Sequence, residues 1–161
     1  MEKNLIWHDP YAFNQENEIF YEKISKEFAD PRRFSNYADA FKFLQNERKR
    51  WIVITSGNKG KELMDKIKQL PSVLSVVIFC KNKEFHKTWS QSYPIVKGLF
   101  SDIDKLMQKV KIIHKEYIEH IVNLDFERQK QQLQQQSIDY ELQNFQNIHI
   151  KEFSIPKVSV K

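Results

Sequence analysis

Hydrophobic positions follow two alternating rhythms along the first 110 residues. Unbroken apolar runs at Leu5-Ile6-Trp7, Trp51-Ile52-Val53-Ile54-Thr55 and Val73-Leu74-Ser75-Val76-Val77-Ile78-Phe79 have strand length. Their even hydrophobicity suits strands covered by helices on both faces, with the run from Arg50 to Gly57 as the central one. Val96 to Phe100 and the short stretch Arg32 to Ser35 read as two weaker strands. Between these runs the apolar residues take helical spacing: Ile19, Phe20, Ile24 and Phe28; Tyr37, Phe41 and Leu44; Leu63, Met64, Ile67 and Leu70; Phe85 and Trp89; Ile103, Leu106, Met107 and Val110. Five strand–helix repetitions predict a layered α/β fold, a parallel doubly wound sheet of order 2-1-3-4-5.

Breakers and caps fit that division. Asp9-Pro10, Asp30-Pro31, Pro71 and Tyr93-Pro94 end elements. Asn14 or Asn17 is expected to cap the first helix. Ser101 is expected to cap the fifth, with Asp104 completing a capping box. Gly57 and Gly60 are assigned to turn geometry, since Ser56-Gly57-Asn58-Lys59-Gly60 lacks the spacing of a phosphate-binding loop.

Beyond Ile113 the pattern changes. Tyr117, Ile121 and Leu124 carry an apolar helical face further than the fifth crossover needs, and the stretch Gln129 to Gln136 is polar apart from Leu133. Ile138, Leu142 and Phe145 then recur at helical spacing, without a sustained heptad repeat. The last residues, with Ile148, Ile150, Phe153, Ile155, Val158 and Val160 spaced around Pro156, suggest an extended arm that could lie in another protein's groove. The expected division is an α/β domain at 1–112, a helical extension at 113–147 and an extended arm at 148–161.

Charge and composition narrow the class. A formal charge of +5 and a pI near 9.2 favour acidic partners, although no Lys/Arg block selects among nucleic acid, membrane and protein. Cys80 is the only cysteine, which excludes an internal disulfide and favours a reducing compartment. No apolar run reaches the ~20 residues of a membrane span, and the N-terminus lacks a signal-peptide core. A cytoplasmic protein without membrane insertion is expected.

Candidate chemistry gathers where strands end. In an open α/β sheet ligands approach the carboxyl edge, which here would present His8, Asp9, Ser56, Lys81 and Ser101. Asp9 and Asp102 could offer oxygen ligands to Mg²⁺ but sit in no metal motif. Cys80, closing a hydrophobic strand, reads as a structural thiol. Trp51 and Trp89 could stack bases, but their positions on a strand and an apolar helix face favour core packing, so nucleic acid is not an expected partner. No catalytic residue, metal or cofactor is assigned.

Once the strand-end residues are in view, residues 4–110 resemble a receiver-like, flavodoxin-like domain. A working receiver would place acidic residues after the first strand, a phosphoacceptor aspartate after the third, a hydroxyl after the fourth and a lysine after the fifth. Only Asp9 matches. Thr55-Ser56 stands at the phosphoacceptor position, Cys80-Lys81 lacks the hydroxyl and Phe100-Ser101 lacks the lysine. The phrase Ile78-Phe79-Cys80-Lys81-Asn82-Lys83, with His86, Trp89 and Tyr93 through Ile103, is similar to a receiver-like domain of ciliate and rotifer multidomain proteins. That resemblance implies no defined activity. With the Asn-, Lys- and Gln-rich usage it implies a structural component of a large assembly, of the ciliary and microtubule-associated kind found in the axoneme. The resulting expectation is a non-enzymatic docking subunit whose extension bridges other protein subunits, including acidic surfaces such as tubulin. A degenerate signalling or nucleotide-sensing domain is the alternative.

Overall fold

The computed structural model describes residues 4–28 and 30–152, the side chains of 149–152 excepted. Five strands form one parallel sheet in the order β2-β1-β3-β4-β5. They are β1 (Leu5–His8), β2 (Arg32–Phe34), β3 (Trp51–Ser56), β4 (Val73–Phe79) and β5 (Val96–Phe100). The crossovers are α1 (Gln15–Glu27), α2 (Tyr37–Asn46), α3 (Gly60–Ile67) and α4 (Lys83–Ser90), and α5 (Ile103–Glu152) follows β5. The predicted sheet and its order are therefore present, including the short β2, whose Arg33 pairs with Trp7.

Strand alternation divides the interior into two cores. Leu5, Trp7, Ile52, Ile54 and Val77 point to one face and meet Phe20 and Ile24 of α1 and Leu106, Met107, Val110 and Ile113 of α5. Ile6, Val53 and Val76 point to the other, against Ala40 and Leu44 of α2 and Leu63, Met64 and Ile67 of α3. Trp89 and Tyr93 close the second core at its edge. Because β3 serves both layers, all six of its residues are buried. Trp51 packs edge-on to Phe43 at 5.1 Å and donates its indole N–H to Glu47 at 3.1 Å, so its polar atom is satisfied within the fold.

One local expectation is refined and one corrected. Gly57 and Gly60 bracket the expected turn without positive φ; its left-handed residue is Lys59, at φ 59°. Gly57 is needed for a close approach instead, because a Cβ there would run into the His86 imidazole. The cap of α5 is Asp102 rather than Ser101: its carboxylate accepts from the Lys105 N–H at 3.0 Å, and this bond holds its pKa below the usual carboxylate range. A carboxylate satisfies an orphan donor and meets the positive helix end, so aspartate outcompetes the preceding serine.

The chain divides into a compact unit at 1–116 and a second at 117–161. Helix α5 is 50 residues long, roughly 75 Å at 1.5 Å per residue. It continues through 148–152, where the sequence pattern suggested the start of an extended arm. Between Gly98 and Pro156 there is neither glycine nor proline. Adding a residue to a formed helix costs far less than nucleating one, so the alternation of Ile148 and Ile150 does not break it. Phe153, Ile155, Val158 and Val160 lie outside the described residues. Among the described residues no helix is long and apolar enough to cross a membrane.

Candidate functional site

Parallel strands deliver five chain reversals to one edge of the sheet. Backbone bonds from Asp9 N–H to Phe34 C=O (3.1 Å), Gly57 N–H to Phe79 C=O (3.2 Å) and Cys80 N–H to Phe100 C=O (2.8 Å) prolong the ladders into the turns. These turns surround an open cleft of about 720 Å³. It lies where strand order reverses between β1 and β3, the position at which open α/β sheets admit ligands. Asp9, Ser56, Lys81 and Ser101 all line it, as expected from the sequence.

His8 does not belong to this group. It is fully buried, and desolvation pulls its pKa down to about 4 despite the opposing pull of Glu62. Its Nδ1 lies 2.9 Å from Thr55 Oγ1, which donates onward to the Ser56 carbonyl at 3.3 Å. The network therefore assigns the proton to Nδ1 and makes His8 a neutral brace between β1 and β3. A histidine ending a strand reads as a surface group in sequence, but all four residues of β1 are buried between the helical layers.

The cleft residues are largely occupied with each other's backbone. Asp9 accepts from Tyr11 N–H at 2.7 Å, forming a turn, while burial raises its pKa. Ser56 donates to the Asn58 carbonyl at 2.9 Å. Cys80 is 8% exposed, and burial pushes its thiol pKa up, against the smaller effect of Lys83, so the nucleophilic thiolate is disfavoured. Asp102, engaged as a cap, is not a wall of the cleft with Asp9.

His86 also lines the cleft, outside the group of edge residues expected to bind a ligand. Trp89 donates its indole N–H to His86 Nδ1 at 3.1 Å, which leaves the ring proton on Nε2, the atom pressed toward Gly57. Burial lowers its pKa. Only the absence of a Cβ at residue 57 permits this contact, a relation between distant positions with no local signature. The cleft thus holds neutral donors and acceptors with Lys81 and two carboxylates, Asp9 and Glu16. It lacks the paired acidic centre of a phosphoacceptor. Among the described residues no three His, Cys, Asp or Glu side chains gather as a metal site.

The extension presents a second kind of site. Tyr117 and Ile121 are half-buried, while Leu124, Ile138, Leu142, Phe145 and Ile148 are exposed. Six of the expected partner-binding residues (Tyr117, Ile121, Leu124, Ile138, Leu142 and Phe145) fall on one side of a single helix, whereas Leu133 does not. At about 100° per residue, Leu133 lies on the side opposite Leu124. There it aligns with Phe126 and Tyr140, each seven residues away, and all three are exposed. The interval of seven was present in the sequence, but it is hidden by the surrounding glutamines. Ile150 lies in the same helix with its side chain outside the description.

Compared with protein-family models, curated proteins and solved structures, the chain matches none.

Proposed function

We propose that this chain is a non-catalytic docking subunit of a larger protein assembly, with the α/β unit giving it a defined position and the extension bridging partners. The observation that carries this reading is the pair of exposed apolar lines on opposite sides of residues 124–148. A helix buries one stripe when it covers a single neighbour, and two opposed stripes serve neighbours on two sides. Each exposed Leu, Ile or Phe fully covered by a partner would contribute roughly 1.5–3 kcal/mol of apolar burial. The strand-end residues support the same reading, because Asp9 and Ser56 are engaged in turns and Cys80 is a disfavoured nucleophile.

The charge distribution refines which part would meet an acidic surface. Residues 1–116 contain 21 Lys/Arg and 15 Asp/Glu, whereas residues 117–148 contain two and five. An acidic partner such as a tubulin surface would therefore meet the α/β unit. The ciliary setting is carried by the resemblance alone. A photoreactive amino acid placed at residue 124 or at residue 133 of the full chain, in its native cell, tests the bridge. The two positions should crosslink to different neighbours; crosslinks from neither would refute it.

A second reading has one observation in its favour, the cleft at the sheet's switch point. A small anionic metabolite there, held by Lys81 and the Ser56–Asn58 turn, would make the chain a sensing domain. Saturable binding that Lys81→Ala abolishes would favour that reading over the first.

A further inference from the structure

One of the two lines on α5 has a distinctive border. Written as heptads with Tyr117, Leu124, Gln131, Ile138 and Phe145 at position d, the neighbouring line Ile121, Arg128, Gln135 and Leu142 falls at a. The residues flanking such a seam are e and g. Between 118 and 148 the carboxylates at these positions are Asp125 and Asp139 at e and Glu127 and Glu141 at g, and no Lys or Arg occupies either. The opposite line, Phe126, Leu133 and Tyr140, is bordered by Val122, Asn123, Gln129, Lys130, Gln136, Ser137, Gln143 and Asn144, and over the same window its single carboxylate is Glu119, one heptad before Phe126.

The acidic borders are weakly neutralised within the helix. Asp125 has Arg128 at 3.8 Å, with both side chains well exposed, and Asp139 accepts from Gln135 at 2.9 Å. Exposed pairs of this kind contribute little and leave the carboxylates available to a partner. A second copy of the chain is a poor occupant of the seam. A parallel pair in register would set Arg128 against Arg128, and an antiparallel pair matching the apolar layers would set Asp125 beside Asp139 and Glu127 beside Glu141.

We propose that the Tyr117–Phe145 seam receives a basic amphipathic helix of another protein, its apolar stripe on the outer layers, a polar stretch over Gln131 and Gln135, and Lys or Arg along both flanks. This rests on the bridging role above and names the chemistry of one of the two partners. Apolar layers supply the attraction, while the opposed charges select the partner and its register.

The test uses the full-length chain and two fluorescein-labelled five-heptad peptides. Both carry Leu in the outer seam layers and Gln in the central ones; one has Lys and the other Glu at every e and g position. Like-charged flanks keep each peptide from pairing with itself. Anisotropy should show the Lys peptide binding about tenfold or more tighter than the Glu peptide, with the gap narrowing as salt rises. The variant combining Asp125→Lys, Glu127→Lys, Asp139→Lys and Glu141→Lys should reverse the preference, with helicity at 222 nm unchanged because these side chains are on the surface.

Equal affinity for the two peptides, or binding of neither, would overturn the proposal, as would a dimer of the chain that Leu124→Asp dissociates. The bridging role fails separately. If the charge-reversed chain keeps the neighbours that Leu124→Asp loses, the basic-helix proposal alone is wrong. If Leu124→Asp keeps them as well, the bridge is wrong.

Discussion

Leu124 and Leu133 lie on opposite sides of one helix, both exposed, nine positions and about two and a half turns apart. A partner covering one cannot cover the other with the same surface. The helix between them is built largely from Gln, Glu, Lys and Arg, which form helix well and do not compete for the apolar lines.

Separate losses are therefore expected from Leu124→Asp and Leu133→Asp. Each substitution adds a charge to one apolar line and leaves the other intact, and neither disturbs the α/β core. Affinity purification of each full-length variant should lose a different neighbour, with circular dichroism unaltered.

Gly57→Ala should push the His86 ring off its seat. The added methyl overlaps the imidazole, and the ring is also tied to Trp89. Overpacking of this kind costs about 1–3 kcal/mol. Urea unfolding should show that loss with an unchanged slope, and the pair Gly57→Ala with His86→Ala should recover part of it by removing the obstructing ring.

Acidification should destabilise the fold through His8. Its folded pKa, about 4, lies below the ordinary histidine value of 6.5, so the unfolded chain takes up the proton first. Stability from this group is complete above pH 6.5 and is lost as pH falls toward 4, by roughly 3 kcal/mol in total. Asp9 acts in the opposite sense, since its raised pKa lets the folded state bind a proton earlier. Urea titrations at pH 7 and 4.5 should show a smaller difference for His8→Gln than for the parent chain.

The start of α5 offers a simple discrimination. Asp102→Ala should lower stability through the lost cap, whereas Ser101→Ala should be nearly neutral. Thermal melts of the two variants should separate accordingly.

What could be read from the chain follows from how local each signal is. Runs such as Val73–Phe79 and the helical spacings between them carry period and composition within a few residues, so the strands and their order were legible. At the sheet edge, chain topology placed Asp9, Ser56, Lys81 and Ser101 around one cleft. It did not reveal that His8 is buried, because that depends on how far the helical layers on both faces extend over the end of β1. His86 falls outside that expected group because its position depends on the missing Cβ of Gly57, 29 residues away. On α5, the sequence pattern names Leu133 as an apolar anchor without giving it a side, because its face is defined only if the glutamine tract stays helical. The alternation of Ile148 and Ile150 imitates a strand where the helix simply continues.

The most direct measurement is a cryo-EM map of the native assembly with this chain traced. The account predicts protein density against both the Leu124 side and the Leu133 side of residues 117–148. A helix solvated on both sides, with density for a nucleotide or phosphate between Asp9, Ser56 and Lys81, would contradict it and make the strand-end cleft the working part of the molecule.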